Sequence, residues 1–141
     1  MLKFKPDCLF YIGRNAMGKQ SIAIVGLGSV GSAFLAELLG QPNNGVEIVA
    51  VVERADTPGS SLAKASGIRN VTIDELVAMG EGLDILFDLT HEAAVRKELR
   101  EKLMVSGNRH TIVATENIAR MILALISSGV DLPKARTSTG Y

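Results

Sequence analysis

Residues Ser21 to Phe34 read SIAIVGLGSVGSAF, and this stretch restricts the fold more tightly than any other. A continuous apolar run, Ile22 to Leu27, gives way to glycines and then to a helical pattern. A strand without a wet face belongs inside a parallel sheet covered on both sides. Gly26, Gly28 and Gly31 have the spacing G-x-G-x-x-G. The first glycine lets the chain turn sharply out of the strand, the second lets the backbone approach a pyrophosphate, and the third lets the helix pack close to the strand. The helix starting at Ser29 offers unpaired N–H groups and a partial positive charge at its amino end. The cradle expected for a diphosphate is therefore Gly26, Leu27, Gly28, Ser29, Val30 and Gly31.

The rest of the chain keeps the same alternation. A helix is expected over Ser29–Leu39, ended by Gly40 and Pro42, with a turn at Pro42–Gly45. A second strand follows at Val46–Val52, and Ala55–Ser61 reads as a loop. A short helix is expected over Ser61–Ser66, a brief strand over Arg69–Thr72 and a small helix over Thr72–Met79. A fourth strand, Asp84–Leu89, leads into an amphipathic helix, His91–Met104, whose buried stripe is Val95, Leu99 and Leu103. Glu92 with Arg96 and Glu98 with Lys102 are i,i+4 pairs expected on its wet side. A fifth strand, His110–Thr115, and a last helix, Asn117–Ser127, complete the order. Strands alternating with helices imply an α/β fold, here a Rossmann-type doubly wound parallel sheet in a single three-layer α/β/α domain. The domain is expected over residues 20–129, with 1–19 as a leader or extra edge segment and 130–141 as a polar tail.

Glu53 ends the second strand, 22 residues after Gly31, where an acid can accept hydrogen bonds from the adenosine ribose. A carboxylate there repels a 2′-phosphate and favours NAD, whereas the neighbouring Arg54 can stack on adenine or hold that phosphate, which keeps NADP open. Ligands of open α/β sheets lie beyond the carboxyl ends of the strands. Thr90 is expected there as a helix cap and as a contact beside the nicotinamide half, and Thr115, Glu116 and Asn117 lie at the end of the fifth strand. His91 is the histidine at this edge, but the sequence names no partner for it, so no catalytic residue is assigned. His110, at the other edge, reads as structural.

Lys and Arg number 15, as do Asp and Glu. No basic excess points to nucleic acid, and no basic amphipathic helix points to a membrane surface. The single cysteine, Cys8, excludes an intrachain disulfide and makes a reducing, cytoplasmic setting the default. No base is positioned to activate its thiol, and no metal-ligand spacing is evident. The apolar run Cys8–Ile12 is too short for a signal peptide, and Met17 is an alternative start. The segment Ile118–Ile126 carries one charge, Arg120, and is apolar almost all round. Such a helix calls for cover on more than one side, by a homodimer, a partner subunit or a further domain.

With IAIVGLGSVGSAFLAELL, EIVAVVER, DILFDLTHEAA and RHTIVATENIA in view, the chain resembles the amino-terminal NAD-binding domain of homoserine and aspartate dehydrogenases. It is also similar to the wider group that includes glucose–fructose oxidoreductase-like proteins and dihydrodipicolinate reductase. The resemblance spans about Ser21 to Ser128. It implies a pyrophosphate loop at Gly26, Gly28 and Gly31, a ribose contact at Glu53 and a nicotinamide-side contact at Thr90. It further implies hydride transfer on a small amino or hydroxy acid. Those relatives carry Asn-Lys or Glu-Lys-Pro after the fifth strand, whereas this chain has Glu116-Asn117-Ile118 and no lysine. The expectation is an NAD(P)-binding part of an oxidoreductase, incomplete on its own. The alternative is a non-catalytic nucleotide-binding sensor or regulatory subunit.

Overall fold

The computed structural model describes residues 18–41 and 45–127. Most of the expected leader, the polar tail, Cys8 and most of the Pro42–Gly45 turn lie outside the described residues. The elements run β1 (Gln20–Val25), α1 (Ser29–Leu39), β2 (Val46–Val52), α2 (Pro58–Ala65), β3 (Arg69–Asn70), α3 (Ile73–Ala78), β4 (Ile85–Asp88), α4 (Ala93–Ser106), β5 (Ile112–Ala114) and α5 (Glu116–Ile126). A single 3₁₀ turn at Gly80–Gly82 links α3 to β4.

The five strands form one parallel sheet in the order β3-β2-β1-β4-β5. The chain builds outward from β1 to β3, then crosses back to place β4 on the other side of β1. The crevice between β1 and β4 is thus the topological switch point, where open α/β sheets take their ligands.

Side chains of β1 alternate between two cores, because successive strand residues point to opposite faces. Ile22 and Ile24 join Phe34, Leu35, Ala63, Ala119 and Leu123, so α1, α2 and α5 cover one face. Ala23 and Val25 join Ile73, Leu76, Leu99 and Leu103, so α3 and α4 cover the other. The expected three layers follow. Phe34 of α1 and Phe87 of β4 meet with ring centroids 4.7 Å apart and tilted by 60°, a pair worth about 0.5–1.5 kcal/mol beyond its buried area.

Several expected boundaries move, each for a local reason. The helix expected from Ser61 starts at Pro58, because Thr57 caps it and proline suits the first helical position. Most of the expected loop Ala55–Ser61 is therefore cap and first turn. The helix expected from His91 starts at Ala93, because His91 is left-handed at φ 61 and Glu92 is extended at its N-cap. Strand β1 begins two residues early and stops at Val25, since Gly26 already turns away at φ 99. Glu98 and Lys102 pair as expected, at 2.7 Å, and Lys102 also reaches Asp74 at 2.6 Å. Arg96 does not stay on the wet face. Its guanidinium turns inward and lies 3.5 Å from Asp88.

Among the described residues, no helix is long and apolar enough to cross a membrane.

Candidate functional site

The three motif glycines do three different things. Gly26 has φ 99, and a Cβ there would come within 2.9 Å of Leu89 and Thr90. It lets β1 turn directly under the end of β4. A Cβ on Gly31 would lie 2.0 Å from the Gly26 carbonyl oxygen, so Gly31 lets α1 seat against the turn. Gly28 has φ −78 and ψ −146, and a Cβ there would meet nothing within 4 Å. Packing inside the protein does not demand a glycine at 28. Its missing side chain leaves exposed backbone facing open space at the end of α1.

That helix end is also left open. Gly28 is the N-cap and no side chain caps it, so the first-turn N–H groups lack a partner within the helix. Gly28 and Ser29 are exposed, whereas Leu27 and Val30 turn their side chains into the core. A chain of exposed N–H groups at a helix amino end is a ready anion site.

Glu53 is locked beside this loop. Its Oε1 accepts from the Leu27 N–H at 2.6 Å and its Oε2 from the Ala55 N–H at 3.0 Å. The Leu27 N–H of the expected cradle is therefore already engaged. Each carboxylate oxygen can still accept a second hydrogen bond, so the acid remains able to receive ribose hydroxyls. Asn70 fixes the end of β2, accepting from the Glu53 N–H at 3.1 Å and donating to its carbonyl at 2.9 Å. Beyond Glu53 opens a cleft of about 420 Å³, lined by Arg54, Ser60, Lys64, Arg69 and Asn70 among others. Arg54 is exposed at its mouth.

On the other side of the crevice, Asp88 ends β4 and is 2% exposed. Its Oδ1 accepts from the Thr90 N–H at 3.2 Å and from the Thr90 hydroxyl at 2.8 Å. Thr90 was expected to cap α4; instead Glu92 is the N-cap and has no side-chain cap bond, while Thr90 Oγ1 accepts from the Glu92 N–H at 3.2 Å. Thr90 therefore fixes the turn before the helix rather than its first turn. Thr115 does occupy the N-cap position of α5, again with no side-chain cap hydrogen bond.

Some residues of this edge could not be singled out from sequence. Asp88 and Arg96 form a largely buried ion pair that supports Thr90, with the Arg96 side chain 11% exposed. Asp88 stands at the end of an apolar strand, which is a sequence signal; nothing in the sequence marks Arg96. His91 does have a partner: its Nε2 contacts Glu116 Oε1, and Glu116 Oε2 accepts from Arg120 Nε at 2.6 Å. His110, as expected, is structural. It meets Asp84 at 2.6 Å at the far edge of the sheet.

A crevice at the switch point, an open helix amino end, a bare glycine backbone and an acid at the end of β2 fit a dinucleotide. Residues 26–130 match the family described as homoserine dehydrogenase, NAD binding domain. The chain belongs to that family. It is an NAD-binding domain of the dehydrogenase type, and its fold is similar to that of solved dehydrogenases. A putative myo-inositol dehydrogenase from Sinorhizobium meliloti 1021 superposes with a TM-score of 0.51 and 16% identity, over 77% of this chain and 34% of that chain. Homoserine dehydrogenase from S. aureus gives 0.49 and 18%, over 77% of this chain and 29% of that chain. GenD2 from gentamicin A biosynthesis, solved in complex with NAD, gives 0.42 and 18%, over 70% and 34%. The chain thus spans about a third of the length of these proteins.

Proposed function

We propose that this domain holds NAD across the carboxyl edge of its sheet, as the dinucleotide-binding part of an oxidoreductase acting on a small amino or hydroxy acid. Bound nicotinamide supplies hydride exchange; the protein supplies binding, orientation and exclusion of water. Gly26, Leu27, Gly28, Ser29, Val30 and Gly31 form the pyrophosphate cradle, with the N–H groups of α1 aimed at the anion. Glu53 receives the ribose, and Arg54 borders the adenosine side. Thr90 and Thr115 border the nicotinamide side. The carboxylate of Glu53 makes NAD the preferred cofactor over NADP. The single observation that carries this reading is Gly28, whose missing side chain serves no contact inside the protein.

The exposed side of α5 supports assembly with a second copy. Ile118, Met121 and Leu125 are 43%, 54% and 78% exposed on that helix, and Ile112 is 62% exposed on the adjoining edge strand. The only charges of α5, Glu116 and Arg120, are paired with each other, so the stripe presents apolar surface to its partner. Leu125→Glu should keep the chain monomeric in sedimentation while leaving cofactor binding intact. The working compartment under this reading is the cytoplasm.

Calorimetric titration of the parent chain and of Gly28→Val with NADH and NADPH tests the cofactor site. The parent should bind NADH more tightly than NADPH, and the variant should bind neither. Equal binding by parent and variant would place the dinucleotide elsewhere, and absence of binding by the parent would end the reading.

A further inference from the structure

Thr90 and His91 beyond the end of β4, and Glu116 beyond the end of β5, lie side by side at the carboxyl edge of two neighbouring strands. A side chain at Gly26 would touch Thr90, and His91 reaches from the end of β4 to Glu116 at the start of α5. His91 is the one non-glycine residue with positive φ among the described residues. Such backbone costs of order 1–3 kcal/mol and persists where the surroundings hold it in place. Here that backbone carries the imidazole towards the carboxylate. The Glu116 side chain is 14% exposed, and its buried Oε1 makes no hydrogen bond, so the imidazole is the polar group set against it. Its Oε2 is held by Arg120.

The charges of this trio sum simply. With a neutral imidazole, Glu116 and Arg120 cancel. With an imidazolium, the cluster carries a net positive charge. Glu53 fixes the adenosine half over β2, so the other half of a dinucleotide extends over β4 and β5, onto this cluster. An oxidised nicotinamide ring is positively charged and a reduced ring is neutral. We propose that His91, Glu116 and Arg120 gauge the charge of the nicotinamide. When His91 is neutral the cluster sets no net charge against either ring, and when His91 is protonated it disfavours the oxidised dinucleotide relative to the reduced one. This rests on the dinucleotide reading above and adds to it a discrimination between redox states.

Among the described residues, the other charged groups beside the ends of β4 and β5 are Asp88 and Arg96, which face each other, and Glu92 beside His91 in the chain. The first turn of α1 carries no acidic side chain. The chain has two histidines, and His110 lies at the opposite edge of the sheet.

The experiment is calorimetric titration of the full chain with NAD⁺ and with NADH at about pH 5.5 and about pH 8, on either side of ordinary histidine titration. The ratio of NAD⁺ to NADH affinity should fall on the order of tenfold at the lower pH, as expected for a charge a few ångströms away in a partly screened site. His91→Gly keeps the left-handed backbone without strain, so it folds, and its ratio should not change with pH. Glu116→Gln should lower the ratio at the higher pH, because it leaves Arg120 uncompensated. A parent ratio that is independent of pH, or a His91→Gly ratio that still changes, overturns the proposal while leaving the cofactor site standing. A parent that binds neither nucleotide overturns both.

Discussion

At the amino ends of β1, β4 and β5, Asp84 accepts from the Ser21 N–H at 2.8 Å and meets His110 at 2.6 Å, while Thr111 donates to the Leu83 carbonyl at 2.5 Å. At the carboxyl ends of the same strands, helices α1, α4 and α5 all begin without a side-chain cap. The helices that follow β2 and β3 are finished differently again. Thr57 with Ser60, and Thr72 with Glu75, form reciprocal capping boxes at the starts of α2 and α3. The chain therefore holds the residues needed to close a helix end and uses them where the helix serves packing. It leaves open the ends that surround the crevice between β1 and β4. The difference is where the protein satisfies its own polar groups and where it leaves them for a ligand.

The largest effect that tests this contrast comes from two glycines three residues apart. Gly31→Ala would place a Cβ 2.0 Å from a backbone oxygen. Helix α1 would have to lift off the turn, a loss at or above the upper end of the roughly 1–3 kcal/mol that overpacking costs. A Cβ at Gly28 meets no atom of the protein within 4 Å, so Gly28→Val should lose less, about 1 kcal/mol through its poorer N-cap preference. Urea unfolding should separate the two clearly. NADH titration should give the reverse emphasis for Gly28→Val, with affinity lowered on the order of a hundredfold or more by the blocked backbone. If Gly28→Val unfolded the protein as readily as Gly31→Ala, glycine 28 would be structural and the contrast would collapse.

A smaller effect sharpens the comparison at the helix ends themselves. Thr72→Ala removes a side chain that accepts from Glu75 N at 3.1 Å, and should destabilise the fold by about 1 kcal/mol without touching cofactor affinity. Ser29→Ala, at the first position of α1, removes a hydroxyl that caps nothing, and should change stability by no more than a few tenths of a kcal/mol, the usual scale away from such features. Equal losses in chemical denaturation would mean that α1 is closed in solution by its own serine.

Much of this organisation was legible in the sequence because it is written in local patterns. The apolar run before Gly26, the glycine spacing and Glu53 at the end of Val46–Val52 each carry their meaning within a short stretch. The start of α2 was equally local: Thr57-Pro58 followed by Ser60 is a capping signal that a loop reading of Ala55–Ser61 passes over. The contacts of His91, Asp88 and Arg96 were not local. His91 meets Glu116 only because β4 and β5 lie side by side, and Arg96 turns inward only because Asp88 is buried at the end of β4. A helical spacing of four places Arg96 beside Glu92 and says nothing of a strand end beneath it. Asn70, which clamps Glu53, likewise depends on β3 pairing with β2.

The smallest expected effect probes the closed edge. Asp84 is held below the ordinary carboxylate range, chiefly by its hydrogen bond with His110 and next by the Ser21 N–H. A carboxyl group whose folded pKa is depressed adds stability above its unfolded value, near 3.9 for aspartate, and loses it as pH falls through the folded value. Acidification below about pH 4 should therefore weaken the parent more steeply than Asp84→Asn, which has no charge to lose there. The two curves, followed by thermal midpoint, should run parallel above that range and converge below it. His110 is half exposed, so the separation should be modest and should shrink in high salt, which screens a solvent-facing pair. Asp84→Asn leaves the carboxyl edge untouched, so NADH affinity should stay at the parental value at neutral pH. A change in affinity would mean that the two ends of β4 are coupled through the strand, and that closing one end shapes the other.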